Sequence, residues 1–131
     1  MFQIDAMSRT PIYEQIVEQM ERFIAAGLLK PGEQLPSVRG LSIELRINPN
    51  TIQKAYSELD ARGLIQSVPG KGCFVCQDAL EALKAAKRLQ LSEFSALAAE
   101  LAAAGLSEDE LIACIRRAYQ TTPPKGKETT P

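Results

Sequence analysis

The sequence predicts a mostly helical α+β chain: three helices, a β-hairpin, then a helical extension and a polar tail. Three observations predict it. Apolar residues recur at helical spacing in three early segments, each bounded by a capping residue, a proline or a glycine. Two runs of strand formers flank Pro69-Gly70-Lys71-Gly72. From Asp78 to Ala104 the composition turns to Ala, Leu, Glu and Lys, with neither Gly nor Pro.

The elements follow in order. After a short lead, Met1 to Arg9, Thr10-Pro11 can start a helix, with Thr as cap and Pro at the first helical position. Ile12, Ile16, Met20, Phe23 and Ile24 form its apolar face, widened by Tyr13 and Val17, and Gly27 lies beyond its end. Lys30-Pro31-Gly32 is a turn, and Glu33-Gln34-Leu35 is extended because the residue before a proline avoids the helical region. Ser37 caps a second, short helix with Val38, Leu41 and Leu45 inward, ending near Arg46. Asn48-Pro49 starts the third helix, which runs to Arg62 and closes at Gly63. About three residues separate these two helices, so they cross steeply, as in a helix-turn-helix. Leu64 to Val68 and Cys73 to Gln77 form the hairpin, which makes the arrangement a winged helix-turn-helix. Asp78 to Ala104 reads as one long helix with a point of interruption near Leu91-Ser92. Ser107 with Glu110 is a capping box for a last helix to about Gln120. The predicted organisation is therefore 1–76 winged helix-turn-helix, 77–120 helical region and 121–131 disordered tail, the last with three prolines and no large apolar residue.

Composition excludes several functions. The 131 residues carry 15 basic and 16 acidic groups, a formal charge of −1, and no histidine or tryptophan. A histidine base, a Ser-His-Asp triad and any His-containing metal site are impossible. No cofactor is expected. The three cysteines, Cys73, Cys76 and Cys114, fit a reducing compartment better than a disulfide framework. Cys73 and Cys76 stand three apart, which on a strand puts them on opposite faces, and zinc lacks further ligands; they read as small strand fillers, with a redox switch as the alternative. The lead has no apolar signal region and no apolar stretch is long enough for a membrane span, so a cytoplasmic location without a membrane partner is expected.

Candidate chemistry lies on the third helix. At 100° per residue Ile52, Ala55, Tyr56 and Leu59 fall inward, whereas Asn50, Gln53, Lys54 and Ser57 form a polar face without a carboxylate. Asn and Gln can pair bidentately with adenine edges in a major groove, and Lys can reach guanine or phosphate. Arg39, on the helix expected to cross the DNA backbone, is placed for a phosphate or groove-edge contact. Ser37 can donate to phosphate at a helix N-terminus, or act as a plain cap. Lys71 between two glycines suits a phosphate or minor-groove contact. The charge balance by region agrees: residues 30–71 hold six basic residues (Lys30, Arg39, Arg46, Lys54, Arg62, Lys71) against four acidic ones (Glu33, Glu44, Glu58, Asp60).

These residues carry a resemblance. Pro11-Ile12-Tyr13 with Ile16, Leu35-Pro36-Ser37-Val38-Arg39-Gly40-Leu41, Asn50-Thr51, Ala55-Tyr56, Gly63-Leu64-Ile65 and Gly70-Lys71-Gly72 together resemble the winged-helix domain of GntR-type bacterial transcription regulators, over about residues 10–76. The resemblance implies a dimeric protein that binds double-stranded operator DNA. It implies DNA contacts at Arg39, at the start of the recognition helix (Pro49, Asn50, Thr51, Gln53, Lys54) and at wing-tip Gly70. Two positions depart from it. Arg46 stands where many members have a turn glycine, and can take the left-handed conformation at about 1 kcal/mol. Pro49 stands where many members carry an arginine. The short C-terminal region resembles the YtrA subfamily, often found beside transporter operons.

That region is too apolar for two free helices. Leu80, Leu83, Leu91, Phe94, Leu97 and Leu101, with Leu111, Ile112, Ile115 and Tyr119 from the last helix, point to a homodimer. Packing against the same chain's winged helix is the rival. A dimer would set two recognition helices against a symmetric operator. The expected function is a repressor of its own operon, the transporter operon being one such setting, with a small hydrophobic effector between the dimer helices left open. The alternative is a winged-helix protein-interaction module without DNA binding.

Overall fold

The computed structural model describes residues 2–121. They divide into two compact units, meeting between Lys84 and Ala85. The first holds α1 (Ile12–Ala25), α2 (Val38–Leu45), α3 (Pro49–Ala61), β1 (Ile65–Val68), β2 (Gly72–Val75) and the first part of α4 (Ala79–Arg88). The second holds the rest of α4, α5 (Leu91–Ala103) and α6 (Glu108–Thr121).

The core of the first unit is the predicted set of apolar faces. Ile16, Met20 and Ile24 of α1, Leu41 of α2, and Ile52, Ala55, Tyr56 and Leu59 of α3 are all buried. Three N-terminal features differ from expectation. The N-cap of α1 is Pro11, with no side-chain cap. Thr10 does not cap; its carbonyl accepts from Gln15 Nε2 (2.9 Å). The lead is bracketed to α1: Gln15 exchanges hydrogen bonds with the backbone of Asp5 (both 2.8 Å), and Gln19 with that of Gln3 (2.9 and 2.6 Å). Two glutamines four apart share one helix face, so their amides can pair with an extended strand as a sheet edge would. Phe2 then meets Phe23 edge to face, centroids 5.4 Å apart.

The sheet is wider than a hairpin. β1 and β2 pair antiparallel, Ile65 opposite Val75 and Val68 opposite Gly72. The turn residue Gly32 and the extended segment 33–35 lie on the other edge of β2: Gly32 N and Leu35 N donate to the carbonyls of Val75 and Cys73, and Val75 N to that of Glu33 (2.8–2.9 Å). The loop is one residue shorter than predicted. Lys71 N donates to Val68 O (2.9 Å) across Pro69-Gly70, and Gly70 at φ 78° meets the positive dihedral that a type II turn requires.

Past the hairpin, Leu83 is buried and Leu80 half-buried in the first unit, so Leu83 belongs to the winged-helix core rather than to a free dimerisation face. The compact unit extends beyond residue 76 because Ala79 and Leu83, one turn apart, close its core. The long helical stretch is interrupted near the expected point, at Leu89-Gln90, which divides it into α4 and α5. Cys76 lies past the end of β2, and both it and Cys73 pack at the core edge, so the opposite-face expectation fails. All three cysteines are free. Ser107 Oγ accepts from Glu110 N (3.2 Å), as a cap should. In the second unit no residue of α5 or α6 is buried. Thr121 ends α6 rather than starting a tail, and the remainder of the predicted tail lies outside the described residues.

Candidate nucleic-acid interface

The site is built from two helices and a wing. Asn48 accepts from Asn50 N (2.7 Å), and Pro49 stands in the first turn of α3, where a missing N–H costs nothing. Arg46, at φ 58° and ψ 46°, is the sole non-glycine residue with positive φ among those described. The turn between α2 and α3 is locked from inside: Ser42, buried, accepts from Ile47 N (3.1 Å) on its carbonyl and donates from Oγ to Ile47 O (2.5 Å). That lock holds Arg46 in the left-handed region and leaves its side chain exposed.

The α3 residues divide as their angles predict. Asn50, Gln53, Lys54 and Ser57 are exposed, Thr51 half-buried. Gln53 Nε2 donates to Ser57 Oγ (3.2 Å), which leaves its carbonyl oxygen and second N–H outward. Burial of the opposite face fixes this presentation. Tyr56 also ties α3 to the segment before α2, donating from its hydroxyl to Pro36 O (2.7 Å). Burial pushes the Tyr56 phenol well above its ordinary range.

At the start of α2, Ser37 Oγ accepts from Gly40 N (2.9 Å). The capping role is therefore present, and the hydroxyl proton stays available to an anion. Arg39 is exposed two positions on. At the wing, Gln34 Nε2 donates to Lys71 O (2.9 Å), and a Cβ on Gly72 would come within 2.8 Å of that nitrogen. Gly72 thus admits the brace that fixes the base of the Lys71 loop. Lys71 and Gly70 are exposed.

Two basic residues counted in the sequence have other partners. Arg62 bonds Glu21 of α1 (2.7 Å) and Glu58 (2.9 Å), a bridge that clamps α1 to the end of α3. Lys54 Nζ lies 4.1 Å from the centre of the Tyr13 ring. The partners on α1, Glu21 and Tyr13, each lie 41 residues away in the chain and do not show in the sequence. The other four, Lys30, Arg39, Arg46 and Lys71, are all exposed. No group of three or more potential metal ligands occurs among the described residues.

The chain is similar to proteins of one family. Residues 12–75 match the family "Bacterial regulatory proteins, gntR family". The chain is 44% identical over 93 residues, 71% of its own length and 72% of the relative's, to the HTH-type transcriptional repressor YtrA of Bacillus subtilis (strain 168). Its fold is similar to a GntR family transcriptional regulator from Listeria monocytogenes, with a TM-score of 0.68 at 34% identity, covering 84% of this chain and 96% of that one. It is also similar to the AraR DNA-binding domain solved in complex with operator ORE1, at TM-score 0.50 and 29% identity, over 58% of this chain and 93% of that one.

Proposed function

Because the chain belongs to the GntR family of bacterial regulatory proteins, we propose that it is a sequence-specific, DNA-binding transcriptional repressor acting as a homodimer on its own operon. It is not an enzyme. One observation carries the DNA-binding reading: the polar face of α3, Asn50, Gln53 and Ser57, is turned outward by complete burial of the opposite face. Exposed Arg39 on α2, Arg46 in the turn before α3 and Lys71 on the wing supply cations for the phosphate walls of a groove. AraR's solved complex with its operator supports the same use of this fold.

The dimer rests on the second unit. Leu91, Phe94 and Leu97 are 61%, 53% and 52% exposed, and Ile112, Ile115 and Tyr119 are exposed as well. Leu101 and Leu111 are only half-buried. Two helices with this much apolar surface and no core of their own are completed by a second copy. A small apolar effector would bind in that shared core. Selection of duplexes from a random-sequence DNA pool by the full chain tests the function. Enrichment of a two-fold symmetric site, bound also in the chain's own upstream region, is expected; no enrichment overturns the reading and favours a protein-interaction module.

A further inference from the structure

Along α3, residues four apart advance about 40° around the axis per step. The row Asn50, Lys54, Glu58, Arg62 therefore winds from the outward face toward α1. Its far end is fixed by the Arg62–Glu21 bridge, and its second member by the Tyr13 ring, eight residues earlier on α1. Gln53 and Ser57, bonded to each other, stay with Asn50 on the outward face. Tyr13 is itself anchored: half-buried against the core, it donates its hydroxyl to Glu14 Oε1 (3.2 Å).

A major groove about 12 Å wide admits a helix about 10–12 Å across, so only the midline of the helix meets base edges and its flanks meet phosphates. Resting on the DNA-binding reading above, we infer that Lys54 is a phosphate contact rather than a base reader, and that Tyr13 is the residue that positions it. The ring engages one side of the ammonium and leaves its other N–H groups for phosphate oxygen. A lysine so held also loses less freedom on binding DNA than one waving in water. Sequence preference then falls to Asn50 and Gln53.

The test measures affinity against salt on the duplex selected by wild type and on its single-base variants. Lys54→Ala should weaken binding by one common factor on every duplex and lower the slope of log K against log salt by about 1.8, about 0.9 for the lysine of each subunit. Tyr13→Leu should show part of that loss with unchanged base preference, and Tyr13→Phe, which keeps the ring, should bind like wild type. Gln53→Ala should instead change the preferred base at one position. A Lys54→Ala protein with altered base preference and an unaltered salt slope would overturn the inference while wild type still binds. Equal losses in Tyr13→Leu and Tyr13→Phe would overturn the part given to the ring. If Tyr13→Leu melts early, Tyr13→Gln takes its place in the comparison with Tyr13→Phe, and Lys54→Met, which keeps the stem and loses the charge, should match Lys54→Ala in salt slope; an unaltered slope would overturn the phosphate contact. Failure of wild type to select any duplex sinks the DNA reading and this inference with it, a distinct outcome.

Discussion

Arg46 carries two demands that pull in opposite directions. Its left-handed backbone costs about 1 kcal/mol relative to a glycine, and its exposed guanidinium, in the turn that leads into α3, is free to meet a phosphate. Arg46→Gly should therefore raise the melting temperature by a few degrees while weakening operator affinity; a calorimetric scan beside a gel shift checks both signs. A fall in both would mean that the side chain packs in the fold. Arg39 has no such conflict, being exposed near the start of α2. Arg39→Ala should reduce operator affinity at least tenfold with the melting curve unchanged, and retained affinity would remove it from the site. Both arginines were legible in the sequence, since capping and turn chemistry are local. The fate of Arg62 and Lys54 was not, because their partners Glu21 and Tyr13 come from a different helix.

At the scale of elements, α2 and α3 are held at a fixed relation by a few polar bonds. Tyr56 to Pro36 and Ser42 to Ile47 are the main ones. Tyr56→Phe should cost about 1 kcal/mol and weaken DNA binding by more than its loss of stability explains, because the start of α2 is freed. A pH dependence accompanies it. The folded phenol ionises well above the ordinary 10.0, so the fold favours the neutral hydroxyl. Its contribution is complete below that value and is lost as pH rises above it toward the folded one. Wild type should therefore lose stability above about pH 10 more steeply than Tyr56→Phe, as chemical denaturation at several alkaline pH values would show. The wing follows the same logic. Its turn was readable from Pro69-Gly70, but the third strand position of segment 33–35 was not, because pairing with β2 is set by neighbours about forty residues distant.

For the whole molecule, the apolar surface of α5 and α6 is the feature with the largest consequence. In light scattering the full chain should run at twice its 14.3 kDa mass, and Phe94→Glu with Ile115→Glu should give a monomer that keeps its helical circular dichroism but binds a symmetric operator far more weakly. A wild-type monomer would defeat the proposed assembly. The charge balance belongs to this scale too. Arg62 is neutralised by Glu21 and Glu58, so the outward face has fewer free cations than residues 30–71 contain. Modest non-specific DNA affinity follows, and specificity should depend on base contacts and on two half-sites binding together.

The sequence by itself determined the order of helices, the cap at Ser37, the buried face of α3 and the polar residues opposite it. These depend on helical period, capping and turn stereochemistry, which act over a few residues. Tertiary structure decided what distance along the chain conceals. It placed the lead against α1 through Gln15 and Gln19, and assigned Leu83 to the winged-helix core. It gave Lys54 and Arg62 to partners on α1, so that the row of α3 residues beginning at Asn50 turns from the outward face to the flank. Periodicity tells which side of a helix is polar; only packing against its neighbours tells which part of that side remains free.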